Sequence, residues 1–150
     1  MTVVRFINVV TAGLVAGAMA IELTVLVPVL RASPQQVLVD LLEAIGPRAA
    51  RSFPLPGIVA TIAGAVVVFE HGFGDSATIL TLAGLALWLA GILTTVLVYL
   101  PIAAQMSAWS GEVARDERES VERRWAAVHA IRTTLFVGGF CLFVAAAFVA

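Results

Sequence analysis

RRWAAVHAIRTTLFVGGFCLFVAAAFVA, residues 123–150, opens on charge and closes on an apolar run long enough to cross a bilayer. Trp125, His129 and Arg132 stand four and three residues apart, so on a helix they share one face. Arg132 then lies inside the hydrocarbon or at its edge, where a charge needs a partner and commonly has a use.

The rest of the chain fits that reading. Of 150 residues, 61% are hydrophobic and only 13% charged, about half the charged share of a soluble domain. The bilayer is therefore the expected surroundings. All nine cations are Arg, net charge is −1, and no basic stripe exists, so nucleic acid is not an expected partner. The one cysteine, Cys141, lies mid-span and is expected to pack as a small apolar residue.

Four stretches have the length and apolarity of spans, at about 3–30, 53–70, 76–104 and 125–150. Arg5 with Ala18-Met19-Ala20 has the outline of a signal peptide, but the apolar run continues past Ala20, which favours a helix. The expected fold is all-α: one integral-membrane domain, residues 1–150, a four-helix bundle running up-down-up-down. Arg31, Arg48 and Arg51 fall in one link, and Arg115, Arg118, Arg123 and Arg124 in another. The positive-inside rule makes both links cytoplasmic and puts both termini outside, in the plasma membrane of a cell.

Both links read as helical. Ser33 before Pro34 suits a helix start. Val37, Leu38, Leu41, Leu42 and Ile45 then share a face, and Gly46-Pro47 is expected to end a short amphipathic helix. GEVARDERESVERR, residues 111–124, reads as a solvated extension of the fourth span, with Glu119 and Arg123 paired i,i+4. Gly13 with Gly17, and Gly84 with Gly91, offer close-packing faces suited to the bundle or to a homodimer. Pro28 and Pro101 should bend their helices and free carbonyls there. Asn8 should bond between helices. Glu70, His71 and Asp75 read as a solvated turn rather than a metal site, and no metal is expected.

A rise of about 1.5 Å per residue puts Glu22 and Arg132 each roughly 12 Å inside the cytoplasmic boundary, Tyr99 roughly 9 Å and His129 roughly 8 Å. These form one polar layer, while the outer half reads as nearly free of polar lining. A lone charge there costs about 2.5–3.5 kcal/mol, so Glu22 and Arg132 are expected to pair. As a pocket, the layer offers His129 for proton transfer, Arg132 for an oxyanion, and Glu22, Tyr99 and Trp125 as substrate-binding walls. As packing, it is an ion pair with Trp125 as an interfacial anchor. A cavity of roughly 300 Å³ or more bordered by His129 and Arg132 would favour the pocket.

The chain resembles the anthrone-oxygenase-like family of small membrane proteins. GLVAG with Glu22 and Pro28 downstream, Pro101 late in span three, and RWAAVHAIRT opening span four carry the likeness. Relatives are similar in an Asn-x-Pro-x-Asn motif; here the stretch reads Tyr99-Leu100-Pro101-Ile102-Ala103, without either asparagine. The resemblance implies oxygenation of a lipophilic, anthrone-like phenol to a quinone with no metal or flavin, His129 acting as base and Arg132 holding the phenolate. The alternative is a non-catalytic membrane accessory or a quinone- or lipid-binding protein.

Overall fold

The computed structural model describes residues 3–71 and 74–149, leaving aside the side chain of His71. Among them every regular element is helical: α1 (Val3–Ile21), a π-helical turn (Glu22–Leu26), α2 (Val27–Ala32), α3 (Gln35–Ser52), α4 (Pro54–His71), α5 (Ser76–Thr94), a second π turn (Thr95–Tyr99), α6 (Leu100–Ser107) and α7 (Arg115–Phe148). Four helical stretches are long and apolar enough to span a membrane. They form a ring in which α1 packs on α4 and α7, and α5 on α4 and α7. Spans one and three are thus diagonal. One end of the bundle carries the chain termini; the other, the link end, carries α3 and the 108–114 link.

Proline explains the two π turns. Pro28 and Pro101 have no N–H for the preceding turn, and their rings crowd the carbonyl four residues back. The ladder before each proline slips by one residue: Val27 N–H bonds the Glu22 carbonyl, and Leu100 N–H bonds the Thr95 carbonyl. Each π turn begins six residues ahead of its proline. Glu22 opens the first and Tyr99 closes the second, so both polar side chains stand on widened turns.

The α5–α7 crossing fixes the fourth span. Gly84 and Gly91, seven apart, meet Phe143 and Phe136, also seven apart on the antiparallel helix. A Cβ on Gly84 would fall 2.7 Å from the Phe143 ring and 3.1 Å from the Gly139 carbonyl. Trp88 lies between the two phenylalanines, edge-on to Phe136 with ring centroids 4.8 Å apart. Gly13 packs under the Phe140 ring, but Gly17 faces open space, so within the bundle only the first member of the Gly13–Gly17 face serves close packing. One turn of helix separates them, yet the buried stripe of α1 runs through Ala12, Val15, Ala16 and Met19 instead.

At the link end α3 packs beneath the bundle, with Leu38 and Val39 buried and Leu41 and Leu42 partly so. Val37 and Ile45 point out. The expected stop at Gly46-Pro47 does not occur; α3 continues to Ser52. Pro47 and its neighbours are exposed, so carbonyls the proline displaces remain reachable by solvent, and Arg48 Nη1 donates to the Ala44 carbonyl at 2.5 Å. Ser33 does not cap α3. Its hydroxyl donates back to the Val29 carbonyl at 2.8 Å, closing α2.

The 111–124 segment is less solvated than its composition suggests. Helix begins only at Arg115, and Val121 and Glu122 are buried. Arg118 donates Nε–H to Glu122 (2.6 Å) and Nη2–H to the Ser33 carbonyl (2.7 Å). Gln35 clamps the preceding link, donating to the Gly111 carbonyl and accepting from the Val113 N–H. Glu119 lies 3.7 Å from Arg123 but bonds Arg115 at 2.9 Å.

Three further expectations meet the structure at the termini end and mid-span. Asn8 does bond between helices, to the Ala60 carbonyl at 2.7 Å. The half of the bundle toward the chain termini, expected to be nearly free of polar lining, is not: Arg5, Asn8, Thr78 and Thr81 are all buried there. Cys141 is exposed on the outside of the bundle instead of packed within it, because the α7 stripe that turns inward runs through Phe136, Gly139 and Phe143. Within the 70–75 turn, residues 72 and 73 and the His71 side chain lie outside the described residues. No group of three or more metal-ligating side chains occurs among the described residues.

Candidate functional site

Two apolar clusters fill the interior. One holds Val15, Met19, Trp88, Phe136 and Phe143; the other, nearer the link end, holds Val27, Leu30, Leu38, Ile102, Met106 and Trp125. Between them span one passes Glu22 and span four passes His129 and Arg132. A polar layer therefore divides the core, and low-dielectric material lies above and below it.

Arg132 is its centre. Its Nη2–H donates to Glu22 Oε2 at 3.1 Å, the pairing the depth argument expects. Nη2 and Nε also lie 2.9 and 3.3 Å from His129 Nδ1. The guanidinium carbon sits 3.7 Å from the centroid of the Tyr99 ring, a cation–π contact in desolvated surroundings. Tyr99 in turn stacks near Trp125, centroids 6.4 Å apart, and both rings approach the His129 ring. The structure thus brings together all five side chains singled out in the sequence. Trp125 is not an interfacial anchor: it is 2% exposed and closes the floor of the layer, because α7 starts ten residues before it and carries it inside.

The donor pattern fixes the histidine tautomer. Guanidinium has donors only, so His129 Nδ1 must accept and the ring proton must sit on Nε2. Buried Nε2 makes no hydrogen bond of normal geometry. The acceptors on its side are Glu22 Oε2, 3.7 Å away, and the Met19 carbonyl. The Met19 carbonyl also accepts from Thr133 at 3.4 Å. The indole N–H of Trp125 is likewise buried without a hydrogen bond of normal geometry.

Exposure is unequal across the layer. The His129 and Arg132 side chains are 1% and 5% exposed, that of Glu22 20%. Two open clefts of about 460 and 540 Å³ lie at the link end, sharing Arg31, Glu119 and Glu122, and neither is bordered by His129 or Arg132. The layer meets the outside of the bundle at Glu22 and at partly buried Tyr99.

The anthrone oxygenase family model matches residues 43–142, two thirds of the chain. The chain belongs to the anthrone oxygenase family. No curated protein and no solved structure matches it. The stretch shared with the anthrone oxygenases takes in Tyr99, Trp125, His129 and Arg132 and stops short of Glu22. Within that stretch Tyr99 faces Arg132, and Ala103 is half-buried one turn on.

Sequence reasoning missed the π turns, the partly buried Arg118–Glu122 pair and the His129–Arg132 bond. The first had a signal, a proline six residues after Glu22 and after Thr95. The last had one too, since residues three apart on a helix can bond.

Proposed function

We propose that this protein oxygenates a lipophilic phenolic or anthrone-like substrate held against the Glu22–Tyr99–Trp125–His129–Arg132 layer. Molecular oxygen reacts directly with the deprotonated substrate. Both longer links face the cytoplasm and both termini face out, following the arginine bias. The observation that carries the reading is the Arg132 guanidinium, buried among Glu22, His129 and the Tyr99 ring. A fixed cation between apolar clusters stabilises a developing phenolate more than a solvated one does. Deprotonation of an activated C–H then has a stabilised product, and a carboxylate or imidazole beside it takes the proton. Tyr99 and Trp125 supply flat apolar walls for a polycyclic ring system.

Oxygen uptake by the purified protein in micelles with anthrone tests this. Arg132→Gln, which keeps a hydrogen-bonding amide but no charge, is expected to lower uptake by about 10²–10³-fold, as loss of one oxyanion-stabilising group does. Uptake by the wild type no faster than in empty micelles would remove the reading.

A second reading has its own support: Arg132 is bonded to both Glu22 and His129 within the layer, and neither link-end cleft borders His129. On that reading the layer is a packing device of a non-catalytic or quinone-binding protein, and Arg132→Gln changes stability alone.

A further inference from the structure

We infer that Glu22 is the proton acceptor of the reaction proposed above, and that His129 is a positioning residue which does not itself take the substrate proton. The inference rests on that reading of the site. Three observations carry it. His129 Nδ1 has its lone pair committed to two N–H groups of Arg132. Its other nitrogen already carries the proton, buried on the side of the Glu22 carboxylate and the Met19 carbonyl. An imidazole in this state has no basic nitrogen to offer. Glu22 differs on each count. A carboxylate has about four lone-pair sites, and the Arg132 bond described at Oε2 uses one. Glu22 is also the member of the triad that reaches the bundle surface, next to exposed Thr24 and Val25 on the same π turn. That surface faces lipid, where an apolar substrate dissolves.

The arrangement then divides the work. Arg132 holds the carboxylate in place through its 3.1 Å bond to Oε2, His129 Nδ1 fixes the guanidinium that does so, and the widened turn ahead of Pro28 presents the carboxylate outward. The substrate methylene gives its proton to Glu22, and the C–H electron pair delocalises into the ring system as an enolate. Dissolved oxygen takes up that electron density, a C–O bond forms, and Glu22 returns the proton to the peroxide. Loss of water leaves the ketone, so that CH2 and O2 become C=O and H2O.

Deuterium wash-in at the anthrone methylene, measured without oxygen, isolates the proton transfer. Wild type is expected to accelerate the exchange. Glu22→Gln is expected to lose about 10²–10⁴-fold, the usual worth of a general base. Glu22→Asp, which keeps a carboxylate, retains a measurable rate and covers the case in which the glutamine variant fails to fold. The decisive variant is His129→Gln, whose amide oxygen can accept from Arg132 and whose amide N–H can face Glu22, with no basic nitrogen. It is expected to lose up to about tenfold, as displacement of a positioning group does, while the pH midpoint of exchange set by Glu22 stays where it is in the wild type; general-base loss costs about 10²-fold or more. Collapse of exchange in His129→Gln with the fold intact, or exchange undiminished in Glu22→Gln, overturns the assignment. No acceleration by the wild type overturns instead the oxygenase reading beneath it.

Discussion

Arg132→Met is expected to destabilise the protein by about 3–5 kcal/mol, the cost of removing one partner of a buried ion pair. The loss should far exceed that of a surface arginine such as Arg115, whose pair with Glu119 is exposed to solvent and worth about 0–1 kcal/mol. The reason lies in what remains behind. Without the guanidinium, Glu22 keeps a carboxylate between two apolar clusters, and His129 Nδ1 loses both of its donors. Tyr99 also loses the cation against its ring face. Adding Glu22→Leu removes the stranded charge, so the double variant is expected to be more stable than the sum of the two single losses predicts, by about 1–3 kcal/mol. Reversible unfolding in mixed micelles gives the four free energies. Additivity within about 0.5 kcal/mol would mean that the two side chains act independently, against the 3.1 Å contact.

Why the pair was legible in the sequence follows from the bilayer. Spanning segments announce themselves by length and apolarity, a fixed rise converts position into depth, and a charge at depth must find an opposite charge at the same depth. Glu22 and Arg132 were matched by that arithmetic alone. Which way each residue turns about its helix axis is another matter, because small errors in register rotate a side chain from core to lipid. Cys141 went astray for that reason, and so did Trp125, whose depth near a span end suited an aromatic belt while its azimuth turned it inward. The π turns combine a local cause, proline, with a tertiary one, since the widened turn persists where the neighbouring helices accommodate it. Burial of Glu122 depends on the Ser33 carbonyl, 85 residues from Arg118 in sequence, which no local pattern discloses. The chemical roles within the layer were the least legible part. They depend on which histidine nitrogen meets the guanidinium, and residue spacing does not specify that.

Gly84→Ala is expected to cost about 1–3 kcal/mol, as overpacking does in a well-filled core, and to lower any activity of the site although it touches none of its residues. The added methyl falls 2.7 Å from the Phe143 ring and 3.1 Å from the Gly139 carbonyl. The ring is 2% exposed, with Trp88 packed against it, so it has little room to turn, and the carbonyl belongs to the backbone of α7. Relief therefore comes from moving α7 away from α5. Because α7 carries both His129 and Arg132, that movement alters their distance to Glu22 on span one and to Tyr99 on span three. Gly17→Ala is the matched control: nothing lies within 4 Å of the new methyl, and on an exposed helix position alanine is the better helix former by up to about 1 kcal/mol. It is expected to leave stability unchanged or raised. Phe143→Leu in the Gly84→Ala background shortens the opposing side chain and should return part of the loss, while Phe143→Leu alone opens a cavity and destabilises. Thermal unfolding in micelles across the four proteins decides the matter. A Gly84→Ala protein as stable as the wild type would show that α5 and α7 are held apart by something other than this glycine–phenylalanine fit, and the position of Arg132 would then need a different support.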